Sequence, residues 1–150
     1  MVDYEFLDFN LNNEIKNLKK YFSSISDIKG KYEKFLNESE ESYFGEKVEK
    51  VNKFGIGQQR YLILTNKALY NFKSGLFSNS VTLKRRIPYI NLKGITFERF
   101  GERIVIHGEN NEYDYYYKIP SLKKVVVYLA TFYELETSKP LKMIILKPNL

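Results

Sequence analysis

The sequence predicts an α+β domain: a seven-stranded β-barrel or sandwich closed by a C-terminal α-helix and preceded by a helical extension. Three observations predict it. Between residues 46 and 119, short alternating apolar runs are separated by glycine-, asparagine- and proline-marked turns, the pattern of strands with one face toward a core. From Leu122 the period becomes helical, with Leu122, Val125, Leu129, Phe132 and Leu135 on one stripe and Val126 and Tyr133 beside it. Ahead of both, Leu11, Ile15, Leu18, Phe22 and Ile25 recur at helical spacing and form a second stripe.

The extension covers residues 10–36. Lys16, Lys19 and Lys20 lie off its stripe, and the period slips near Ile28 and Gly30, so two helices or one bent helix are expected. Ser24 with Asp27 three residues on is a fresh N-cap pattern, and Tyr32, Phe35 and Leu36 continue an apolar face. Such a face needs a surface to cover. Docking on the barrel is expected, with a protein partner for these helices as the alternative. Residues 37–42, NESEES, form an acidic linker. The division is therefore 1–42 for extension and linker, 43–138 for the barrel domain and 139–150 for a C-terminal tail.

Residues 46–54 read as the first strand, and Val48 and Val51 fall out of two-residue register, which predicts a bulge between them. The turn Gly55-Ile56-Gly57-Gln58-Gln59 is glycine-rich but lacks the Lys-Ser/Thr and the following helix of a phosphate-binding loop. Residues 60–64 and 68–73 make a hairpin about Asn66-Lys67. A small-residue loop with Leu76 and Phe77 at its tip leads to 81–87, which carries Lys84, Arg85 and Arg86 and is stopped by Pro88. Residues 92–98 follow, with Ile95 and Phe97 on one face and Leu92, Gly94 and Thr96 on the other. Two more strands, 104–107 and 113–119, precede Pro120, after which Ser121 is placed to cap the helix. Residues 143–146 are apolar and short, either an added strand or a packed tail.

The runs LTNKALYNF and LKRRIPYINLKGIT, followed by the IVIH of 104–107, resemble the pleckstrin-homology-like core of the tail homology domain of class I myosins. The resemblance covers residues 47–136 and is carried by the pairing of the LTNKALY hairpin with K-R-R-I-P. The plan is also similar to that of the acylated pleckstrin-homology proteins of apicomplexan parasites. What the resemblance implies is a seven-stranded pleckstrin-homology-like barrel that binds phospholipid and has nothing catalytic in its IVIH strand.

Composition narrows the function further. Cysteine is absent and there is one histidine, so thiolate chemistry, disulfides and His-rich metal sites are unavailable, and no metal or cofactor is expected. No apolar run approaches the roughly 20 residues that span a bilayer and no signal peptide is expected, which leaves peripheral contact from the cytoplasm, on a cytosolic membrane face. The formal net charge of +6 is unevenly spread: residues 46–99 hold eleven Lys/Arg against three Asp/Glu, whereas residues 1–45 are net acidic. A basic excess confined to half a barrel points to an anionic partner.

Arg60 opens the second strand with the parity of Leu62 and Leu64, which aims it into the open end of the barrel, where a buried cation needs an anion. The resemblance implies the same role, because an arginine at this place in the related domains contacts lipid phosphate. Lys50 and Lys53 on the first strand, Lys73 on the third, and Lys84, Arg85 and Arg86 on the fourth are the flanking lipid-binding candidates. Phosphoinositide-reading relatives carry a lysine two residues before that arginine, where this chain has Gln58. Together with Ile56, Leu76 and Phe77 as membrane-inserting residues, this predicts a preference for phosphatidic acid or bulk anionic lipid over a particular phosphoinositide. An interaction scaffold is the alternative. Nucleic acid is not expected, since no recognised motif accompanies the stacking tyrosines Tyr61, Tyr70 and Tyr89. His107 reads as a hydrogen-bonded strand residue and Asp114 as one polar residue in a tyrosine-rich strand, so no catalytic residue is expected.

Overall fold

The computed structural model describes residues 32–74, 80–109 and 112–147. The expected stripe of Leu11, Ile15, Leu18, Phe22 and Ile25, and the loop tip Leu76-Phe77, lie outside the described residues. In chain order the elements are β1 (Ser42–Val51), β2 (Gly57–Thr65), β3 (Ala68–Ser74), β4 (Val81–Pro88), β5 (Leu92–Glu98), β6 (Arg103–Gly108), β7 (Tyr115–Lys118), α1 (Leu122–Thr137) and β8 (Met143–Leu146). The strands form one sheet in the order β4-β3-β2-β1-β7-β6-β5-β8, in which β1 pairs with β2 along its length and with β7 over Glu49, Lys50 and Val51.

The number of strands is eight, not seven. Residues 143–146 pair in parallel with β5, from Ile95↔Met143 to Glu98↔Leu146. A glycine makes that approach feasible: a Cβ on Gly94 would sit 2.9 Å from the carbonyl oxygen of Lys142, closer than any real side chain tolerates. Four apolar residues are too few to show a period, so their pairing had to come from the helix that delivers them.

Three local expectations change with the register. β1 ends at Val51, which moves Lys53 from the strand into the following turn. The bulge expected between Val48 and Val51 is absent, since pairing runs unbroken from Phe44↔Leu64 to Val51↔Gly57 and is irregular only between Ser42 and Phe44. The two valines are three residues apart and face opposite sides, Val48 into the core and Val51 half-buried outside. In β5 the register slips between Leu92 and Gly94, and this brings Leu92 into the core beside Ile95 and Phe97 instead of opposite them.

The main core lies between the inner sheet face and α1. Val125, Val126, Leu129 and Phe132 of the helix are buried there, with Phe44 against Tyr128 at 5.6 Å and Tyr89 stacked on Phe132 at 5.9 Å. The helical stripe ends at Phe132; Leu135, expected to continue it, is exposed. Ser121 does occupy the N-cap position, but its hydroxyl donates to Glu46 Oε1 at 3.0 Å and so ties the helix start to β1 instead of capping the helix.

A second apolar cluster covers the outer face of β2, β3 and β4. Tyr61, Ile63, Tyr70 and Phe72 are roofed by Tyr32, Phe35 and Leu36, with Tyr32 stacked on Tyr61 at 4.9 Å and Phe35 edge-on to Phe72 at 5.4 Å. The last turn of the extension therefore docks on the sheet. Glu40 of the acidic linker is buried beneath it, accepting from Thr65 Oγ1 at 2.6 Å, Tyr70 OH at 2.8 Å and the Arg86 guanidinium at 2.6 Å. A carboxylate taken out of water needs this full set of donors.

Candidate anion-binding mouth

The end of β1, the start of β2, the end of β3 and the start of β7 meet at one end of the barrel. Lys50 lies between Gln58 of β2 and Tyr117 of β7, and Arg60 lies opposite Val48. Alternation places Lys50 and Arg60 on the core face of the sheet, where they continue the rows of Val48 and Leu62 beyond the end of the apolar core. On β4 the pairing passes from Asn71↔Arg85 to Phe72↔Leu83, which makes Lys84 the extra residue of a bulge. The bulge divides the K-R-R run.

Lys50, Arg60 and Lys84 are thus brought together. Burial lowers the pKa of Lys50 below the ordinary lysine value of 10.5, and the neighbouring charges of Arg60 and Lys84 lower it further. None of the three has a carboxylate partner within ion-pair distance among the described residues. Arg60 spends one N–H on the Gln59 carbonyl at 2.8 Å and keeps a buried Nε without a partner. The hydroxyl of Tyr117, a side chain only 1% exposed, is buried and unpartnered too. Burial and Tyr115 push its pKa up while Arg60 pulls it down. Clustered cations with unspent donors have the chemistry to take up an anion.

The other candidates are placed differently. Arg86 turns to the outer face, donates to Glu40 and Tyr70, and is spent on the fold. Arg85 is held by Glu112 at 2.9 Å, and Lys73 is exposed at the end of β3. Lys53 is exposed in the β1–β2 turn, its ammonium 5.2 Å over the Phe54 ring. That turn holds a residue the sequence reading missed. Phe54 is 75% exposed beside Ile56 at 60%, and both are presented by Asn52, whose side-chain oxygen accepts from the Phe54 and Ile56 amides at 2.9 and 3.0 Å. Gly55 supplies the positive φ of 79° that closes the turn. An aromatic between a lysine and a glycine in a short turn was the available signal.

His107 sits on the outer face, its ring nitrogens 2.8 Å from Thr96 Oγ1 and 3.1 Å from Asp114 Oδ2, a satisfied strand histidine as expected. A hollow of about 430 Å³ on the same outer face is lined by Glu49, Glu98, Arg103, Tyr116 and Lys118; its charges balance, unlike those of the mouth. Among the described residues no group of three or more potential ligands is placed to hold a metal, and no helix is long and apolar enough to cross a membrane.

The profile of a family described as the unconventional myosin tail, actin- and lipid-binding, matches residues 6–148. The chain belongs to the unconventional myosin tail family. Solved structures share the shape of this myosin-tail chain. The hSac2 domain from the human phosphoinositide phosphatase Sac2 matches with a TM-score of 0.60 at 17% identity, over 84% of this chain and 89% of that one. Vav1 bound to an allosteric inhibitor matches with a TM-score of 0.58 at 16% identity, over 86% of this chain and 36% of that one. The Slm1-PH domain in complex with inositol 4-phosphate gives 0.48 at 16% identity, over 61% and 92%. No curated protein sequence matches the chain. The fold of this myosin-tail member is pleckstrin-homology-like, with an eight-stranded sheet and a C-terminal helix.

Proposed function

We propose that this chain is a peripheral membrane-binding domain in which Lys50, Arg60 and Lys84 take the phosphate of an anionic phospholipid and the β1–β2 turn enters the bilayer. The observation that carries the reading is the convergence of three cations at the barrel mouth with no carboxylate among the described residues to neutralise them. The family description, actin- and lipid-binding, supports it.

The lipid class follows from what flanks the cations. Gln58 stands where a deeper phosphoinositide site has a lysine, and it pairs with Lys50 without adding charge. Phe54 and Ile56 are available to draw the mouth down to the bilayer surface, and full burial of one such side chain is worth about 1.5–3 kcal/mol, comparable with two or three surface cations. Phosphatidic acid and bulk anionic lipid, whose phosphates lie near the membrane plane, suit a shallow mouth with an inserting turn. The partner membrane is a cytosolic face.

Vesicle sedimentation tests the reading. Arg60→Ala and Lys84→Ala are each expected to weaken binding to vesicles containing phosphatidic acid by roughly fivefold without lowering thermal stability. Sedimentation of both folded variants at the wild-type level overturns the assignment.

A further inference from the structure

Among the described residues, Glu112 is an acidic side chain beside this cationic mouth, held on Arg85, the residue after Lys84. It comes from the segment between β6 and β7, three residues before Tyr115, and its Oε2 accepts from Arg85 Nε at 3.0 Å, from the Arg85 terminal nitrogen at 2.9 Å and from Tyr115 OH at 3.0 Å. The Glu112 side chain is only 8% exposed, so its carboxylate is held in place. Tyr115 and Tyr117 share the inner face of β7, Tyr117 is paired with Lys50 of β1, and the Tyr115 hydroxyl donates to Glu112, so the lining runs from Lys50 to Glu112.

The charges at the mouth then set its capacity. Lys50, Arg60 and Lys84 face it without carboxylate partners among the described residues, while Arg85, the next cation along β4, is cancelled by Glu112. A phosphomonoester carries about −1.5 to −2 charges near neutral pH, which three cations suffice to neutralise. A headgroup with two phosphomonoesters doubles that charge, to about −3 to −4. Its extra phosphates then meet an engaged arginine and a fixed carboxylate.

We propose that Glu112 is a specificity residue that restricts the mouth to headgroups bearing a single phosphate, by engaging Arg85 and repelling further phosphates. The proposal rests on the reading of the mouth as the lipid site. Neutralising Glu112 removes one negative charge and leaves Arg85 unpaired, a net change of one charge felt mainly by the more highly phosphorylated ligand.

The test is sedimentation of the full chain with phosphatidylcholine vesicles doped either with phosphatidic acid or with a bisphosphorylated phosphatidylinositol at matched net charge, alongside thermal unfolding. Wild type is expected to favour phosphatidic acid, and Glu112→Gln is expected to shift the ratio about fivefold toward the bisphosphorylated lipid. Glu112→Asp, which keeps the charge, is expected to leave the wild-type preference. In Glu112→Gln/Arg85→Gln the shift is expected to shrink, because the released cation is gone. Arg85→Gln alone leaves Glu112 uncompensated and is expected to deepen discrimination against the bisphosphorylated lipid; this variant decides the matter if Glu112→Gln does not fold. An unchanged ratio in folded Glu112→Gln, or equal losses on both lipids in Arg85→Gln, overturns the proposal. Arg60→Ala separates the two claims. If it loses both lipids while the Glu112→Gln ratio is unchanged, the Glu112 proposal alone fails; if it retains both, the mouth itself is misassigned.

Discussion

Lys84 and Arg86 are two residues apart on one strand and have opposite fates, because the bulge at Lys84 sends one to the mouth and leaves the other over buried Glu40. Removing Arg86 strands a carboxylate with only the hydroxyls of Thr65 and Tyr70. Breaking such a pair costs about 3 kcal/mol, or about 6–12 °C in Tm for a chain of this size. Arg86→Ala is therefore expected to melt well below wild type while its folded fraction binds vesicles normally. Scanning calorimetry beside sedimentation checks this, and a stable Arg86→Ala protein with weakened lipid binding would place Arg86 in the site instead. Neutralising the whole K-R-R run, the obvious experiment from sequence, confounds the two effects.

At the scale of the element, the β1–β2 turn is a preformed wedge. Asn52 fixes the backbone through its two amide contacts, and the Asn52 N–H donates to the Ile56 carbonyl at 3.0 Å, so Phe54 and Ile56 are held outward against the pull of the hydrophobic effect. Holding an apolar side chain in water is unfavourable unless something else buries it. Phe54→Ser is expected to lower affinity for anionic vesicles about tenfold while leaving capture of a soluble headgroup such as glycerol phosphate unchanged, since only the first depends on insertion. Equal losses in both assays would assign Phe54 to the phosphate site.

The whole molecule is a sheet with two apolar faces and two different covers. The inner face is sealed by α1, and the outer face of β2–β4 is roofed by Tyr32, Phe35 and Leu36, which pack on Tyr61 and Phe72. Deleting residues 1–36 uncovers that outer cluster. The truncated chain is expected to lose several degrees in Tm and to self-associate, as thermal melting and light scattering report. A truncated chain as stable and monomeric as the full one would show that the outer face needs no cover.

What the sequence determined by itself was local: strand periods closing at Pro120, the helical stripe through Phe132, the tail-family hairpin of 64–72, and the parity that aims Arg60 inward. Each depends on neighbours a few residues away, so periodicity and turn chemistry record it. The tertiary structure decided who meets whom. It pairs residues 143–146 with β5, divides Lys84 from Arg86 by a one-residue slip against β3, and sets Glu112 on Arg85 across a separation of 27 residues. A slip of one residue reverses the faces of a strand while leaving its composition untouched, and an ion pair between distant segments leaves no periodic trace. The basic half of the barrel was therefore legible as a charge excess, whereas the proposal of Lys50, Arg60 and Lys84 from among its cations rests on register and on the carboxylates that hold Arg85 and Arg86.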